Sequence, residues 1–273
     1  MNVIRQLNRL AAGAAVAALA AFAGVGLAQA DGMRGGSVKD CCGFDWRGFY
    51  FGGQIGLSNV EIDRDIVGSP FWATGPGGSG SFEQDANGRL TFGGHLGYNF
   101  TSGPFVFGIE ASLADLLNRE LVVSPFFPAS DRWRGDINYL TTVTGRLGYA
   151  MNKTLLYVKG GYAGAEVEST VTDLVTNVGG ICGLAVNGRQ CRSGDSQWHH
   201  GWTAGVGVEH AVTKNVIVGF EYNFTDLGSE NSITPTSPAA GTIFLNQDVD
   251  VQIHSFMGRI SYKFGDRDRL PLK

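Results

Sequence analysis

The segment with the strongest potential for chemistry is Trp198-His199-His200-Gly201-Trp202, because histidine is a common metal ligand. A metal or haem site is one interpretation of it. The segment alternates like a strand, however, and consecutive residues of a strand point to opposite faces of its sheet, so His199 and His200 cannot easily share one metal. A structural role for the rings at the end of a strand is therefore the favoured interpretation.

Other motifs do not indicate catalysis. The pair Asp248 and Asp250 could suggest calcium, but it lacks further oxygen ligands and is typical of a solvated loop edge. Gly205-Val206-Gly207 lies within a strand pattern and opens no helix, so it is not a nucleotide motif. The sequence has no P-loop, no HExxH and no Ser/His/Asp arrangement. We expect no enzymatic activity, no cofactor and no metal.

Composition narrows the class of protein further. The 273 residues carry a formal net charge of −4, which argues against nucleic acid as the main partner. Charged residues make up only 17% of the chain and glycine occurs 41 times, so charge is scarcer and glycine more frequent than in an average soluble domain. This composition permits either an ordinary core or a membrane phase.

The amino terminus has the pattern of an export signal. A head containing Arg5 and Arg9 precedes an uncharged, alanine-rich run, which ends in Ala28-Gln29-Ala30 before Asp31. We predict a signal peptide over residues 1–30, cleaved between Ala30 and Asp31, rather than the alternative of a membrane anchor helix. Residues 31–43 then form a periplasmic leader.

From residue 44 onward the apolar residues recur with a period of two, which indicates strands. Eight segments follow this pattern: 44–60, 89–100, 105–118, 136–150, 154–170, 198–210, 215–229 and 247–264. The connections between them are alternately long and short, so one end of an antiparallel sheet carries only tight turns. This segregation predicts an all-β, eight-stranded antiparallel transmembrane β-barrel over residues 44–264, with short periplasmic turns and four long external loops. A secreted barrel of the lipocalin kind is the alternative.

The phase of each strand predicts which side chains face lipid. Aromatic residues near strand ends are expected to form interfacial girdles; they are Trp46, Phe49, Tyr50, Trp198, Trp202, Tyr262 and Phe264. The inward phase carries three acids and three bases, namely Glu110, Arg146, Lys159, Glu209, Glu221 and Arg259. Because an eight-stranded barrel is only wide enough for side chains, we expect a balanced network of ion pairs that plugs the lumen. The alternative is that several of these charges lie hydrated near the rim.

The last strand segment carries the pattern of an assembly signal for outer-membrane barrels. Its apolar face consists of Phe256, Ile260, Tyr262 and Phe264, and we expect the barrel assembly machinery to bind it. Val249, Val251 and Ile253 have the opposite phase, which predicts a bulge near His254-Ser255. A tail, residues 265–273, follows the signal.

The four cysteines fall into two pairs. Cys182 and Cys191 lie in one external loop, and we predict a disulfide between them in the oxidising compartment. Cys41 and Cys42 lie on the periplasmic side, a bilayer away, so that cross-pairing is excluded. These two are either an incidental pair in a flexible leader or a functional pair, namely a covalent tether to an envelope partner or a redox site.

Several short motifs, in order, resemble the alphaproteobacterial outer-membrane β-barrel surface antigens, a porin-family group also called outer-membrane immunogenic proteins and related to the OmpA-type barrel. The motifs are Trp46-Arg47-Gly48-Phe49-Tyr50-Phe51-Gly52-Gly53, Gly97-Tyr98-Asn99-Phe100, Gly108-Ile109-Glu110, Gly145-Arg146-Leu147-Gly148-Tyr149-Ala150, the run 201–209, Glu221-Tyr222, Asp226-Leu227-Gly228 and the closing Tyr262-Lys263-Phe264. The resemblance implies an abundant, surface-exposed barrel of the cell outer membrane without catalysis. The tail and Cys41-Cys42 depart from the family pattern.

The expected function follows from these features. The chain is expected to be a structural or surface-antigen barrel with at most narrow, porin-like passage of solutes. Its expected partners are outer-membrane lipid, lipopolysaccharide and the assembly machinery. The alternative is a surface receptor or binding module for haem, host or partner, which would use loops 61–88 and 171–197.

Overall fold

A computed structural model describes residues 44–66, 81–116, 121–123, 131–173, 191–235 and 244–264. Within these ranges no helix is long and apolar enough to cross a membrane. The strands are β1 (Gly48–Ile66), β2 (Ser81–Ser102), β3 (Phe105–Leu116), β4 (Leu121–Val123), β5 (Asp131–Met151), β6 (Thr154–Asp173), β7 (Cys191–Ala211), β8 (Val216–Pro235) and β9 (Phe244–Lys263).

The strands form one closed antiparallel sheet. Each strand from β5 to β9 pairs with the next along the chain, β1 pairs with both β2 and β9, and β3 completes the circle by pairing with β2 and β5. The short β4 also pairs with β5 and continues the position of β3 in the wall. The wall therefore has eight strand positions, which we call staves, and β3 and β4 together form one of them. The predicted eight-stranded antiparallel barrel is confirmed.

The staves are longer than the sequence pattern predicted. β1 continues to Ile66 and β2 begins at Ser81, so much of the predicted loop 61–88 is strand, as are both ends of the predicted loop 171–197. Twenty residues at about 3.3 Å each, tilted by about 40°, span roughly 50 Å, twice the apolar band of an outer-membrane barrel. The wall therefore extends well beyond the membrane on the loop side.

Above the membrane the barrel reverses the polarity of its two faces. On β1, Glu61, Asp63 and Asp65 point outward, while Val60 and Ile62 are buried inside. Inward residues of every stave except β7 form an apolar cluster here, the external core: Val60, Ile62, Ala86, Leu116, Ile137, Leu140, Ala163, Ala165, Val167, Leu227, Val249, Val251 and Ile253. This part of the wall packs like a water-soluble barrel, with apolar side chains inside and charged ones outside. The sequence prediction looked for apolar side chains facing lipid, so it ended the strands too early.

Three single-residue bulges lie near this reversal. Asn87–Gly88 on β2, Asn138–Tyr139 on β5 and Leu227–Gly228 on β8 each oppose one residue of a neighbouring strand. Gly88 and Gly228 adopt φ of +65° and +67°, which suits glycine because it has no Cβ.

The bulge predicted near His254-Ser255 was wrong. β9 pairs with β1 without interruption from Gln247 to Lys263. Val249, Val251 and Ile253 face inward together with Ser255, Met257 and Arg259, so the inner face of β9 changes from apolar to polar without changing phase.

Candidate functional site: a filled barrel lumen

Every stave contributes one buried side chain to a charged layer inside the barrel. In chain order these are Tyr50, Asn99, Glu110, Arg146, Lys159, Glu209, Glu221 and Arg259, and Tyr157 of β6 joins them. All six charged residues predicted to face the lumen therefore lie in this layer. Three carboxylates face three cations, so the layer is formally neutral.

Glu110 contacts all three cations of the layer. One of its oxygens is 2.5 Å from Arg259 Nη2 and 3.6 Å from Arg146 Nη1, and the other is 3.2 Å from Lys159 Nζ. The Tyr50 hydroxyl donates to Glu110 at 2.9 Å. Because Arg259 lies on β9 and Glu110 on β3, these bonds cross the lumen and connect staves that are not neighbours in the wall.

Glu221 forms a second centre. Lys159 Nζ lies 2.7 Å from one of its oxygens, and Arg259 and the Tyr157 hydroxyl, the latter at 2.6 Å, contact the other. Asn223 also donates to this carboxylate. Two cations and two neutral donors thus satisfy a carboxylate that has no access to solvent, as a buried charge requires.

Arg146 holds the third carboxylate. Its two terminal nitrogens donate to the two oxygens of Glu209 at 3.2 and 3.3 Å, and its Nε donates to Asn99. The guanidinium lies between two aromatic rings, 4.7 Å from the centre of Tyr50 and 5.0 Å from that of Tyr157. Such bidentate pairing and ring stacking are specific to arginine.

A polar belt lies between the charged layer and the external core. Thr91 donates to Ser58, which bonds Ser255 at 2.9 Å, and Ser112 bonds Thr142 at 2.7 Å. Thr91, Ser112, Thr142 and Ser255 line a cavity of about 30 Å³ that reaches down to Lys159 and Glu221. The cavity has the size and polarity for an ordered water molecule or two, not for a solute path.

An apolar cluster fills the periplasmic end, where the short turns lie. Its residues are Phe44, Trp46, Val106, Ala150, Leu155, Tyr157, Ala211 and Ile217. Trp46 is 1% exposed and meets Phe44 edge to face, and Lys263 Nζ lies over the Phe44 ring and donates to the carbonyl of Arg47. The segment before β1 therefore folds into the mouth of the barrel.

The predicted girdle requires a correction at this end. Trp46 and Tyr50 do not face lipid, since both are buried inside the lumen, whereas Phe49 is exposed on the outer face. The sequence spacing could have shown this. Trp46 and Tyr50 are separated by an even number of residues and so share a face of the strand, whereas Phe49 falls on the opposite face. Trp198, Trp202, Tyr262 and Phe264 do lie exposed on the outside, as predicted.

The remaining predicted residues have mixed positions. His199 is buried in the lumen and His200 is exposed outside, so the two histidines point to opposite faces. Among the described residues no group of three or more His, Cys, Asp and Glu side chains could hold a metal ion. Phe256, Ile260, Tyr262 and Phe264 share the exposed outer face of β9, and their role as an assembly signal stays a prediction.

Several predictions fall outside the described residues. Cys191 begins β7, but Cys182, Cys41 and Cys42 are not described, nor are the cleavage site at Ala30 and Asp31 and the tail 265–273. The disulfide, the leader and the signal peptide stay predictions.

Known proteins with similarity to this chain include two curated relatives and one solved structure. The chain is 29% identical over 190 residues to the 22 kDa outer membrane protein of Rhizobium leguminosarum bv. viciae, covering 68% of this chain and 66% of that relative. It is 28% identical over 225 residues to the 25 kDa outer-membrane immunogenic protein of Brucella melitensis, covering 81% and 80%. Among solved structures it resembles Ail, the attachment invasion locus protein of Yersinia pestis, at 12% identity and a TM-score of 0.39, covering 80% and 99%.

These relatives confirm the family resemblance predicted from the motifs, and they place the chain in the cell outer membrane. The family model described as "outer membrane protein beta-barrel domain" matches residues 14–264, most of the sequence. The chain belongs to the outer membrane protein β-barrel family.

Proposed function

We propose that this protein is a non-enzymatic structural barrel that holds its external loops above the outer membrane and does not pass solutes. The observation that carries this proposal is the filling of the lumen at three successive levels. From the periplasm outward these are the apolar cluster around Trp46, the charged layer and the external core. A hydrated solute would have to displace side chains at each level.

The external extension of the wall supports a display role. Its outer face carries Glu61, Asp63 and Asp65 on β1, so it suits water rather than lipid, and its core makes it self-supporting. The strand ends at Ile66, Ser81, Asp173 and Cys191 are thereby carried away from the bilayer surface. This geometry favours the surface-antigen role over the narrow, porin-like passage.

Conductance across a planar bilayer tests the closed lumen. Wild-type protein, shown to be folded by its heat-modifiable migration on a gel, is expected to give no current steps. Arg146→Ala and Glu209→Ala are expected to stay closed as well, because the two apolar levels remain. Regular conductance steps in the wild type would overturn the proposal.

The alternative of a binding module is tested separately, by deleting residues 174–190 while the barrel is retained. A display barrel without a ligand keeps its envelope function after the deletion, measured as resistance of cells to detergent. Loss of a surface-binding activity with envelope integrity intact would favour the receptor role instead.

A further inference from the structure

The external rim of the lipid-facing surface differs between the two halves of the barrel. Among the described residues of β1, β2, β3 and β5, the lipid-facing apolar side chains next to the charged region are mostly aliphatic, namely Ile55, Leu57, Leu90, Leu113 and Val143, with two aromatic rings, Phe92 and Tyr139. On β6 to β9, which are contiguous in the wall, the rim instead carries an aromatic patch: Tyr162, Trp198, His200, Trp202, Tyr222, Phe224, His254 and Phe256. A general interfacial girdle would surround the barrel evenly. The asymmetry indicates a partner that meets one side.

The rings of this aromatic patch form a connected surface. Trp202 packs on Phe224 at 5.4 Å, Phe224 on His254 at 5.0 Å, and Tyr222 on Phe256 at 4.8 Å between ring centres. Four strands therefore hold the rings in fixed orientations, with Trp198 and Trp202 about half exposed. Flat, fixed and accessible rings are suited to stacking against a ligand.

The patch also carries polar atoms that hydrogen bonds hold in fixed positions. The Tyr162 hydroxyl bonds His200 Nδ1 at 2.6 Å, and the Tyr222 hydroxyl bonds His254 Nδ1 at 2.8 Å. A Cβ on Gly164 would lie 2.6 Å from the Tyr162 hydroxyl and 3.0 Å from Trp198 Nε1, so these two polar atoms converge over bare backbone. His254 Nε2 is buried without a hydrogen-bond partner among the described residues.

The charged neighbours of the patch are carboxylates. Glu166 lies opposite Trp198 across β6 and β7, and Asp226 lies opposite Trp202 across β7 and β8. Carboxylates would repel a bare phosphate, but they accept hydrogen bonds from hydroxyl groups. Rings, hydroxyls and carboxylates at one rim together suit the apolar faces and hydroxyls of a sugar.

The lipid-facing surface below the patch indicates what the remainder of the ligand is. Directly below the patch, the same faces of β7 to β9 carry the lipid-exposed Val206, Val208, Phe220 and Ile260. A molecule seated on the rings therefore has its lower part in the hydrocarbon region. We propose that the aromatic patch binds the saccharide headgroup of an outer-leaflet glycolipid, with the acyl chains along β7 to β9.

Native mass spectrometry tests this site on the full-length protein in nanodiscs of phosphatidylethanolamine with rough lipopolysaccharide. The double variant W198L/W202L keeps the rim apolar and removes the stacking surface, and it is expected to retain the glycolipid about tenfold more weakly than wild type. The matched control Y139L removes an aromatic ring from the opposite half of the rim and is expected to bind like wild type. Heat-modifiable migration shows that each variant is folded.

Two further arms define the ligand. Dephosphorylated lipopolysaccharide is expected to bind as well as the intact form, and phosphatidylethanolamine alone is not expected to be retained. The proposal is overturned if W198L/W202L binds like wild type, if Y139L is equally impaired, if binding requires the phosphates, or if phosphatidylethanolamine is retained equally.

Discussion

The ring of Tyr157 lies directly over the backbone of Gly207, its cross-strand partner on β7. A Cβ at position 207 would come within 2.4 Å of the ring. Tyr50 has the same relationship to Gly97 on the other side of the lumen. The two glycines thus make room for the two rings that enclose Arg146.

Gly207→Ala is expected to destabilise the barrel, because the new methyl group forces Tyr157 away from Glu221 and Arg146. Overpacking of this kind costs about 1–3 kcal/mol of unfolding free energy. Guanidinium titration of the protein in lipid vesicles measures it. Gly145→Ala is the control, since a Cβ there meets nothing within 4 Å; equal losses in both variants would contradict the explanation.

Arg146→Met should lower stability by about 3–5 kcal/mol, because it leaves Glu209 as an uncompensated buried charge. Replacing Glu209 by Met as well should restore part of the loss. The measurement is a double-mutant cycle of unfolding free energies in vesicles. Additive effects of the two substitutions would show that this ion pair makes no coupled contribution.

Trp46→Ala should cost about 3–5 kcal/mol by opening a cavity in the periplasmic cluster. The variant should nevertheless give no current in a planar bilayer, because the charged layer and the external core still fill the lumen. Phe49→Ala, which changes a lipid-exposed ring nearby, is the matched control. Conductance in Trp46→Ala alone would show that the outer two levels do not close the barrel.

Leu227→Ala is expected to weaken the external core without weakening the membrane part of the barrel. Leu227 is fully buried in that core, so its truncation should speed hydrogen exchange in the outer ends of β8 and β9. Amides of 216–224 should keep their protection. Ser229→Ala, at an exposed neighbouring position, should change neither region, and uniform acceleration along β8 would contradict a separate external core.

Much of the barrel was predictable from sequence because alternation in a strand assigns each side chain to a face. That rule placed Glu110, Arg146 and Arg259 in the lumen. It did not find the external core, because Val249, Val251 and Ile253 are apolar whether they face lipid or a dry interior. Whether these side chains face inward or outward depends on how far their part of the strand lies above the membrane. A local sequence pattern carries no information about that distance.

Bulges and the packing of the segment before the first strand are the other features that could not be predicted from the sequence. One inserted residue at Asn87–Gly88 exchanges the faces of the rest of β2, and a single glycine with a left-handed φ is a weak signal for it. Trp46 lies before β1, although the alternating pattern already includes it. Its burial follows from its place in a cluster with residues of β3, β5, β6, β7 and β8, which lie far away in sequence.

The charged layer also works as a check on strand alignment. Because each stave supplies one member, a shift of any strand by one residue moves its inward side chains to the lipid face. A shift by two residues keeps the face but separates the partners, so a buried charge loses its counter-ion. A barrel with a shifted register is thus destabilised at whichever strand pair the shift occurs. Apolar lipid-facing surfaces alone would make many registers almost equal in free energy.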